Sequence, residues 1–268
     1  MGPPLRAPGP PSRSAAARRR RRYAVDTQAH AGAGRPSLLL VHGAWHGAWC
    51  WEPLRAALGA DGRRSHAVDL PSAGSADRDR RAGMRDDADA IREALRGIDG
   101  PVVVVAHSYG GVPATEAVAG AGNAVGVVYV AGFPLDVGDS MAAFLGTPVP
   151  DDGTGLAPPY EDSRRMLFAD VPEADARRAV ARLRPHSVRA FTEPVTAAGW
   201  RTLPSHYVVC EHDQALEPAR QHELARRADV VHRLPSGHSP FLSMPRRLAA
   251  LLGRIADAAL PAPPPGGK

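Results

Sequence analysis

A hydroxyl, an imidazole and a carboxylate, each set just past an apolar, β-branched run, are the groups in this chain whose spacing could support covalent catalysis. Ser108 sits in the stretch Ala106, His107, Ser108, Tyr109, Gly110, Gly111, after Val102 to Val105 and ahead of Val112, Thr115 and Val118 at helical spacing. A strand, a sharp turn and a helix in that order present a serine at the end of a sheet as a nucleophile, and small flanking residues let the two backbones close up. Ala106 stands where such a turn (G-x-S-x-G) has its first glycine. Alanine is the next smallest side chain and is tolerable there, yet by itself the turn is as readily structural as reactive.

Its partners decide the matter. Of eleven histidines, His238 is the one in a short loop, Ser236 to Pro240, between the last predicted strand and the C-terminal helical stripe. From there its ring can reach across the strand ends to Ser108 as general base. His107 should point away from the site, and His42 should hold backbone at its own turn. A base needs the right tautomer, hence a carboxylate behind it. Asp213 follows the run Tyr207 to Val209, with Glu211, Asp136 and Asp139 as rivals, and the chain order Ser, Asp, His favours Asp213. A histidine acts as base only when neutral, so activity is expected to fall on the acid side. Negative charge developing on a carbonyl oxygen calls for N–H donors. The turn Val41, His42, Gly43, Ala44, Trp45 offers the Ala44 amide, with Gly43 free to turn it inward, and Tyr109 offers a second. Trp45, Phe133, Phe168 and Trp200, with Met166, Leu167 and Phe191, are candidates for an apolar pocket wall, although burial alone accounts for an apolar residue.

The elements that must bring these groups together are legible as an alternation. Short apolar runs at Leu38 to Val41, Ala67 to Leu70, Val102 to Val105, Val125 to Val130, Tyr207 to Val209 and Val230 to Leu234 read as strands covered on both faces. Between them fall helical stripes: Leu54, Ala57 and Leu58 after Pro53; Met84, Ala88, Ile91 and Leu95; and Leu248, Leu251, Leu252 and Ile255 after Pro245. The alternation predicts an α/β fold with a doubly wound, mostly parallel sheet. From Pro134 to about Trp200 no convincing strand occurs, only prolines, the acidic pair Asp151 and Asp152 and a helical pattern at Ala176, Val180 and Leu183. We read this stretch as a helical cap insertion over the strand ends, where open α/β sheets bind ligands. At 268 residues one such domain is expected, over 36–258, between an Arg/Pro-rich leader (1–35) and a Pro-rich tail (259–268), both read as disordered.

The net charge of +5 suggests a polyanion partner until its location is considered. Arg6, Arg13 and Arg18 to Arg22 fall in the first 22 residues, which hold no acid, leaving 26 basic against 28 acidic residues in the rest. A fold that binds nucleic acid needs cations clustered on its own surface, so no nucleic-acid partner is expected. The leader lacks the apolar stretch of a signal peptide, since Asp26, Gln28 and His30 interrupt it, and no run reaches membrane-spanning length. A cytoplasmic protein without a membrane partner is the expectation. Cys50 and Cys210 sit in apolar surroundings as small hydrophobes.

The stretches Leu39 to Trp51 (LLVHGAWHGAWCW), Ala106 to Gly111 (AHSYGG), Tyr207 to Pro218 (YVVCEHDQALEP) and Ser236 to Leu242 (SGHSPFL) together resemble the esterase and hydroxynitrile-lyase branch of the α/β-hydrolases, over roughly residues 36 to 258. The resemblance implies a capped hydrolase with no cofactor and no metal, acting on small, largely apolar esters. It carries Ser108, Asp213 and His238 over as a triad and the Ala44 and Tyr109 amides as an oxyanion hole. It also sharpens an alternative, because lyases of this branch carry a threonine where Gly43 stands and a lysine just after the catalytic histidine. Here Ser239 and Pro240 follow His238, and the only lysine is Lys268, so hydrolysis is preferred to cyanohydrin cleavage. Carbon–carbon bond hydrolysis on the same triad, and a small-metabolite binding protein on a hydrolase scaffold, remain as further alternatives. A haloalkane dehalogenase would carry an aspartate where Ser108 stands.

Overall fold

Runs of valine and leucine with no polar face can be satisfied only between two apolar layers, and that is where they lie. The computed structural model describes residues 34–74, 82–147 and 155–260. The arginine run, the pair Asp151 and Asp152 and nearly all of the Pro-rich tail lie outside the described residues. Among the described residues eight strands form: β1 (Ser37–Val41), β2 (Ser65–Val68), β3 (Val102–His107), β4 (Ala124–Val130), β5 (Leu156–Ala157), β6 (His186–Ser187), β7 (Ser205–Cys210) and β8 (Val230–Leu234). The helices are α1 (Glu52–Ala60), α2 (Met84–Arg96), α3 (Gly111–Ala117), α4 (Met141–Leu145), α5 (Ser163–Phe168), α6 (Glu173–Val180), α7 (Val188–Thr192), α8 (Pro218–Ala225), α9 (Pro240–Ser243) and α10 (Pro245–Ala259).

Six strands make one sheet in the order β2-β1-β3-β4-β7-β8, with every neighbouring pair parallel. Side chains alternate across it. Leu39, Val41, Val104, Ala106, Val127, Tyr129, Tyr207 and Val209 face α2 and α3, meeting Met84, Ala88, Ile91 and Val112. Leu38, Leu40, Val103, Val105, Val128, Val130 and Val208 face α1 and α10, meeting Leu54, Leu58, Leu248, Leu252 and Ile255. Each fully buried aliphatic side chain contributes roughly 1.5–3 kcal/mol, and a one-residue slip would exchange the two faces, so the pattern fixes the register. The doubly wound parallel sheet expected from the sequence is therefore present, flanked on both faces by helices.

Register also sets the site. β1 and β3 end level, with Val41 paired to Ala106. The chain leaves β1 toward β2 on one side and reaches β3 on the other, so the strand order reverses between β1 and β3. Crevices at such reversals, beyond the carboxyl ends of the strands, are where open α/β sheets hold ligands. The turns after β1 and β3, which carry Ala44 and Ser108, lie side by side in that crevice.

Two details differ from the sequence reading. The run Ala67 to Leu70 is strand only to Val68; Leu70 leaves the sheet, and its N–H bonds the ring of His42 instead. The segment between β4 and β7, expected to hold no strand, contains the antiparallel pair β5 and β6, with Leu156 opposite Ser187 and Ala157 opposite His186. Two-residue strands are too short to show any period, so residue pattern could not reveal them. This segment also carries α4 to α7 and a small apolar cluster of its own: Leu167, Phe168, Val171, Ala176 and Ala179. No helix among the described residues is long and apolar enough to cross a membrane.

Candidate active site

Ser108 follows the last residue of β3 and has φ +50°, in the left-handed region that a non-glycine residue enters only when its surroundings force it. The forcing is visible. A Cβ on Gly43 would lie 2.8 Å from His107 Nδ1 and 2.9 Å from Ser108 Cβ. On Gly110 it would overlap the carbonyl oxygen of His42. Glycine at both positions lets the turn after β1 press directly on the turn after β3. Ala106, the departure from the G-x-S-x-G pattern, is fully buried on the α2 and α3 face and fits there.

His238 and Asp213 are brought together. His238 Nδ1 donates to Asp213 Oδ2 at 2.7 Å, which fixes the tautomer and leaves the Nε2 lone pair available. Asp213 is almost completely buried and is held by three other donors: the Ala215 and Leu216 amides at Oδ1 (2.8 and 2.9 Å) and Gln221 Nε2 at Oδ2 (2.9 Å). With four donors on its two oxygens, the buried side chain is fixed in place and fully hydrogen-bonded. Gln221, on α8, also bonds the backbone of Cys210 and Leu216, stitching the Asp213 turn to its helix. The rival acids are committed elsewhere. Glu211 faces Arg233, Asp136 pairs with Arg201, and Asp139 faces Arg227.

His107 was expected to point away from the site; instead it backs it. Its ring lies 4.5 Å from that of His238, and its Nε2–H donates to the His238 carbonyl at 2.9 Å. The residue beside Ser108 thus ties the loop of the base to the strand of the serine. Burial pushes the His107 pKa well below the ordinary histidine value. His42 behaves as expected: Nδ1–H donates to the Gly43 carbonyl (2.8 Å) and Nε2 accepts from the Leu70 amide (3.0 Å). Its burial lowers the pKa to about 4, so it is a neutral strut.

The candidate pocket residues divide. Trp45, with φ +64°, stands at the turn after β1, meets Tyr160 edge to face at 4.8 Å and donates from its indole N–H to the Ala157 carbonyl. Phe133 is buried over the elbow, where its amide bonds the Ser108 carbonyl at 3.3 Å. Phe168 is wholly buried in the insertion's own cluster, with its edge toward His46 at 5.6 Å. Trp200 bonds the Leu135 carbonyl through its indole and lies beneath the Arg201 guanidinium, where the adjacent Gly199 packs against Thr115 and Val118 at the far end of α3. Of the four, Phe133 is the one bonded to Ser108, and Trp45 lies two residues past the Gly43 that packs on it.

Sequence reasoning missed several groups. Asp170 Oδ2 accepts the Gly237 amide at 2.8 Å, so the insertion grips the loop that carries His238. A buried cluster of Asp87, Ser72, Tyr109 and His186 flanks the site on the α2 side, and burial raises the Asp87 carboxyl to about 7. No spacing rule joins these residues, because they come from four separate elements.

The sheet, the glycine-packed serine turn and the histidine–carboxylate pair at one strand end define a class, and residues 38–251 match the alpha/beta hydrolase family. The chain belongs to that family. Its relatives include a probable hydrolase, R7, of Phoma sp., 30% identical over 83% of this chain and 98% of the relative. Methylesterase 9 of Arabidopsis thaliana is 28% identical over 82% of this chain and 97% of its own length. The crystal structure of the Arabidopsis methylesterase MES16 superposes with a TM-score of 0.71 at 26% identity, covering 83% of this chain and 99% of that one. The expected resemblance to the esterase branch is borne out at this level.

Proposed function

We propose that this protein is a serine esterase that cleaves small, largely apolar carboxylic esters through an acyl-enzyme, with Ser108 as nucleophile, His238 as general base and Asp213 as the carboxylate that orients it. The observation that carries this reading is the 2.7 Å bond between His238 and Asp213, in a loop tied to the strand that ends at the strained Ser108. In the first step Ser108 Oγ bonds the ester carbonyl carbon as its proton passes to His238 Nε2. The Ala44 and Tyr109 amides, on the two touching turns, would receive the oxyanion. Collapse expels the alcohol, which takes the proton from His238, and water activated by the same imidazole then releases the acid. Segment 134–200 acts as the cap, with Trp45 and Phe133 as the walls nearest the serine. The relatives named as methylesterases support an ester substrate. Ser239 at the position after His238 is fully buried and offers no ammonium for a departing cyanide, which counts against the lyase alternative. The reading needs no cofactor, nucleic acid or membrane surface, and suits a cytoplasmic enzyme.

The test is a panel of aryl and alkyl esters of graded chain length, with fluorophosphonate labelling and Ser108→Ala. We expect labelling at Ser108 and a loss of kcat on the order of 10⁴ or more in the variant. Turnover retained by Ser108→Ala, or failure of the probe to label Ser108 in the wild type, overturns the assignment and favours a binding role for the scaffold.

A further inference from the structure

The oxyanion turn is gripped by more than its neighbours in sequence. The peptide group joining Ala44 to Trp45 is held at both ends: His46 Nδ1–H donates to the Ala44 carbonyl at 2.7 Å, and the Trp45 amide donates to His186 Nδ1 at 3.3 Å. The preceding peptide is held at the Gly43 carbonyl by His42, which leaves the Ala44 N–H directed away from that strut. Trp45 needs such a grip, because φ +64° is costly for a bulky side chain.

The bond from the Trp45 amide reveals the direction of the bonds behind it. A backbone N–H can only donate, so His186 Nδ1 must present a lone pair and the neutral ring must carry its proton on Nε2. That Nε2–H meets Ser72 Oγ at 2.9 Å. The Ser72 hydroxyl, already accepting, turns its own hydrogen to Asp87 Oδ2 at 2.5 Å. Asp87 ends the line, taking the Ser72 amide at Oδ1 (2.9 Å) and the Tyr109 hydroxyl at Oδ2 (2.5 Å). Asp87, Ser72, His186 and Tyr109 are all fully buried or nearly so, and no water competes for these bonds. Burial keeps His186 neutral by driving its pKa well down. Its ring is further seated by stacking on Phe191 at 4.8 Å and by the edge of Tyr109 at 4.7 Å.

We propose that Asp87, Ser72 and His186 are positioning residues that set the tautomer of His186 and thereby lock the Ala44–Trp45 peptide in the orientation the oxyanion turn requires. The relay runs from α2 through the turn after β2 to the β5 and β6 pair, so it also couples the insertion to the donor side of the site. It rests on the esterase reading for its consequence in catalysis, but not for its existence.

Two measurements separate these. Nitrogen-15 spectra of the imidazoles of the full chain, taken at about pH 8 where Asp87 is ionised, report the His186 tautomer without any substrate. The proton is expected on Nε2 in the wild type, and the fixed pattern is expected to be lost in Ser72→Ala. Finding the proton on Nδ1 in the wild type overturns the proposal. In ester hydrolysis, Ser72→Ala is expected to lower kcat about ten- to a hundredfold with KM within about twofold, a fraction of what losing one donor outright costs. Ser72→Thr, which keeps the hydroxyl, is expected to recover most of that loss. An unchanged kcat in a folded Ser72→Ala overturns the proposal, whereas a wild type that hydrolyses no ester but shows the Nε2 tautomer overturns the esterase reading alone.

Discussion

Asp213 illustrates what a single side chain contributes here. Its two oxygens take four donors, and only one of these is the His238 imidazole. Replacing it with asparagine keeps the volume but presents an amide that can donate toward His238 Nδ1, favouring the wrong tautomer. Asp213→Asn is therefore expected to fold, with a melting temperature near that of the wild type, and to lose about 10³–10⁴ in kcat; activity within tenfold of the wild type would show that another acid orients the base. Gly43 makes the opposite case, where the absent side chain is the functional feature. Gly43→Ala places a methyl group within 3 Å of both His107 and Ser108, so the two turns must part. A fall in kcat larger than the fall in stability is expected, read by parallel kinetics and denaturation.

At the scale of elements, the loop carrying His238 is anchored from two directions, by His107 from β3 and by Asp170 from the end of α5. Asp170 is a half-partner in sequence terms, an acid in a short helix-to-helix turn with nothing to mark it. Asp170→Ala leaves the Gly237 amide without its acceptor. Asp170 is itself exposed, so solvent screens the bond and its contribution is about 0.5–1.5 kcal/mol, with the loop becoming looser in proportion. We expect a five- to fiftyfold loss in kcat, and faster amide exchange at Gly237 and His238; exchange unchanged at those amides would mean that the bonds from His107 and the His212 amide secure the loop without Asp170. The proposed triad is legible because each member follows a strand whose β-branched run is continuous, and chain order then ranks the candidates. The second anchors are not. Asp170 with Gly237, and Ser72 with Asp87 and His186, pair across long stretches of chain through side chains whose spacing has no period. The β5 and β6 pair was invisible for the same reason, and Phe168 was read as a pocket wall because an apolar residue looks the same to sequence whether it lines a cavity or fills a core.

For the molecule as a whole, buried titratable groups decide how it meets acid. Desolvation lowers His42 to about 4 and His46 to about 3, and drives His107 and His186 well below the ordinary value near 6.5. A group whose folded pKa is depressed leaves the unfolded chain holding more protons, so stability falls as pH drops from about 6.5 toward the folded value. His42 alone accounts for something on the order of 3 kcal/mol over that window. Asp87, raised to about 7, works the other way: its contribution is fully present below its unfolded value near 3.8 and is lost as pH rises toward 7. Four histidines outweigh one carboxyl, so the midpoint of urea unfolding is expected to fall steeply between pH 7 and 5; a flat midpoint would mean that the rings are charged or exposed in the native state. The segment between β4 and β7, finally, supplies both the clamp on the His238 loop and the imidazole behind the turn after β1. Anyone exchanging segment 134–200 for a foreign one, to test the proposed cap, would remove those two braces along with it. Chimeras that reinstate an acid at 170 and a histidine at 186 should therefore retain turnover that otherwise comparable exchanges lose.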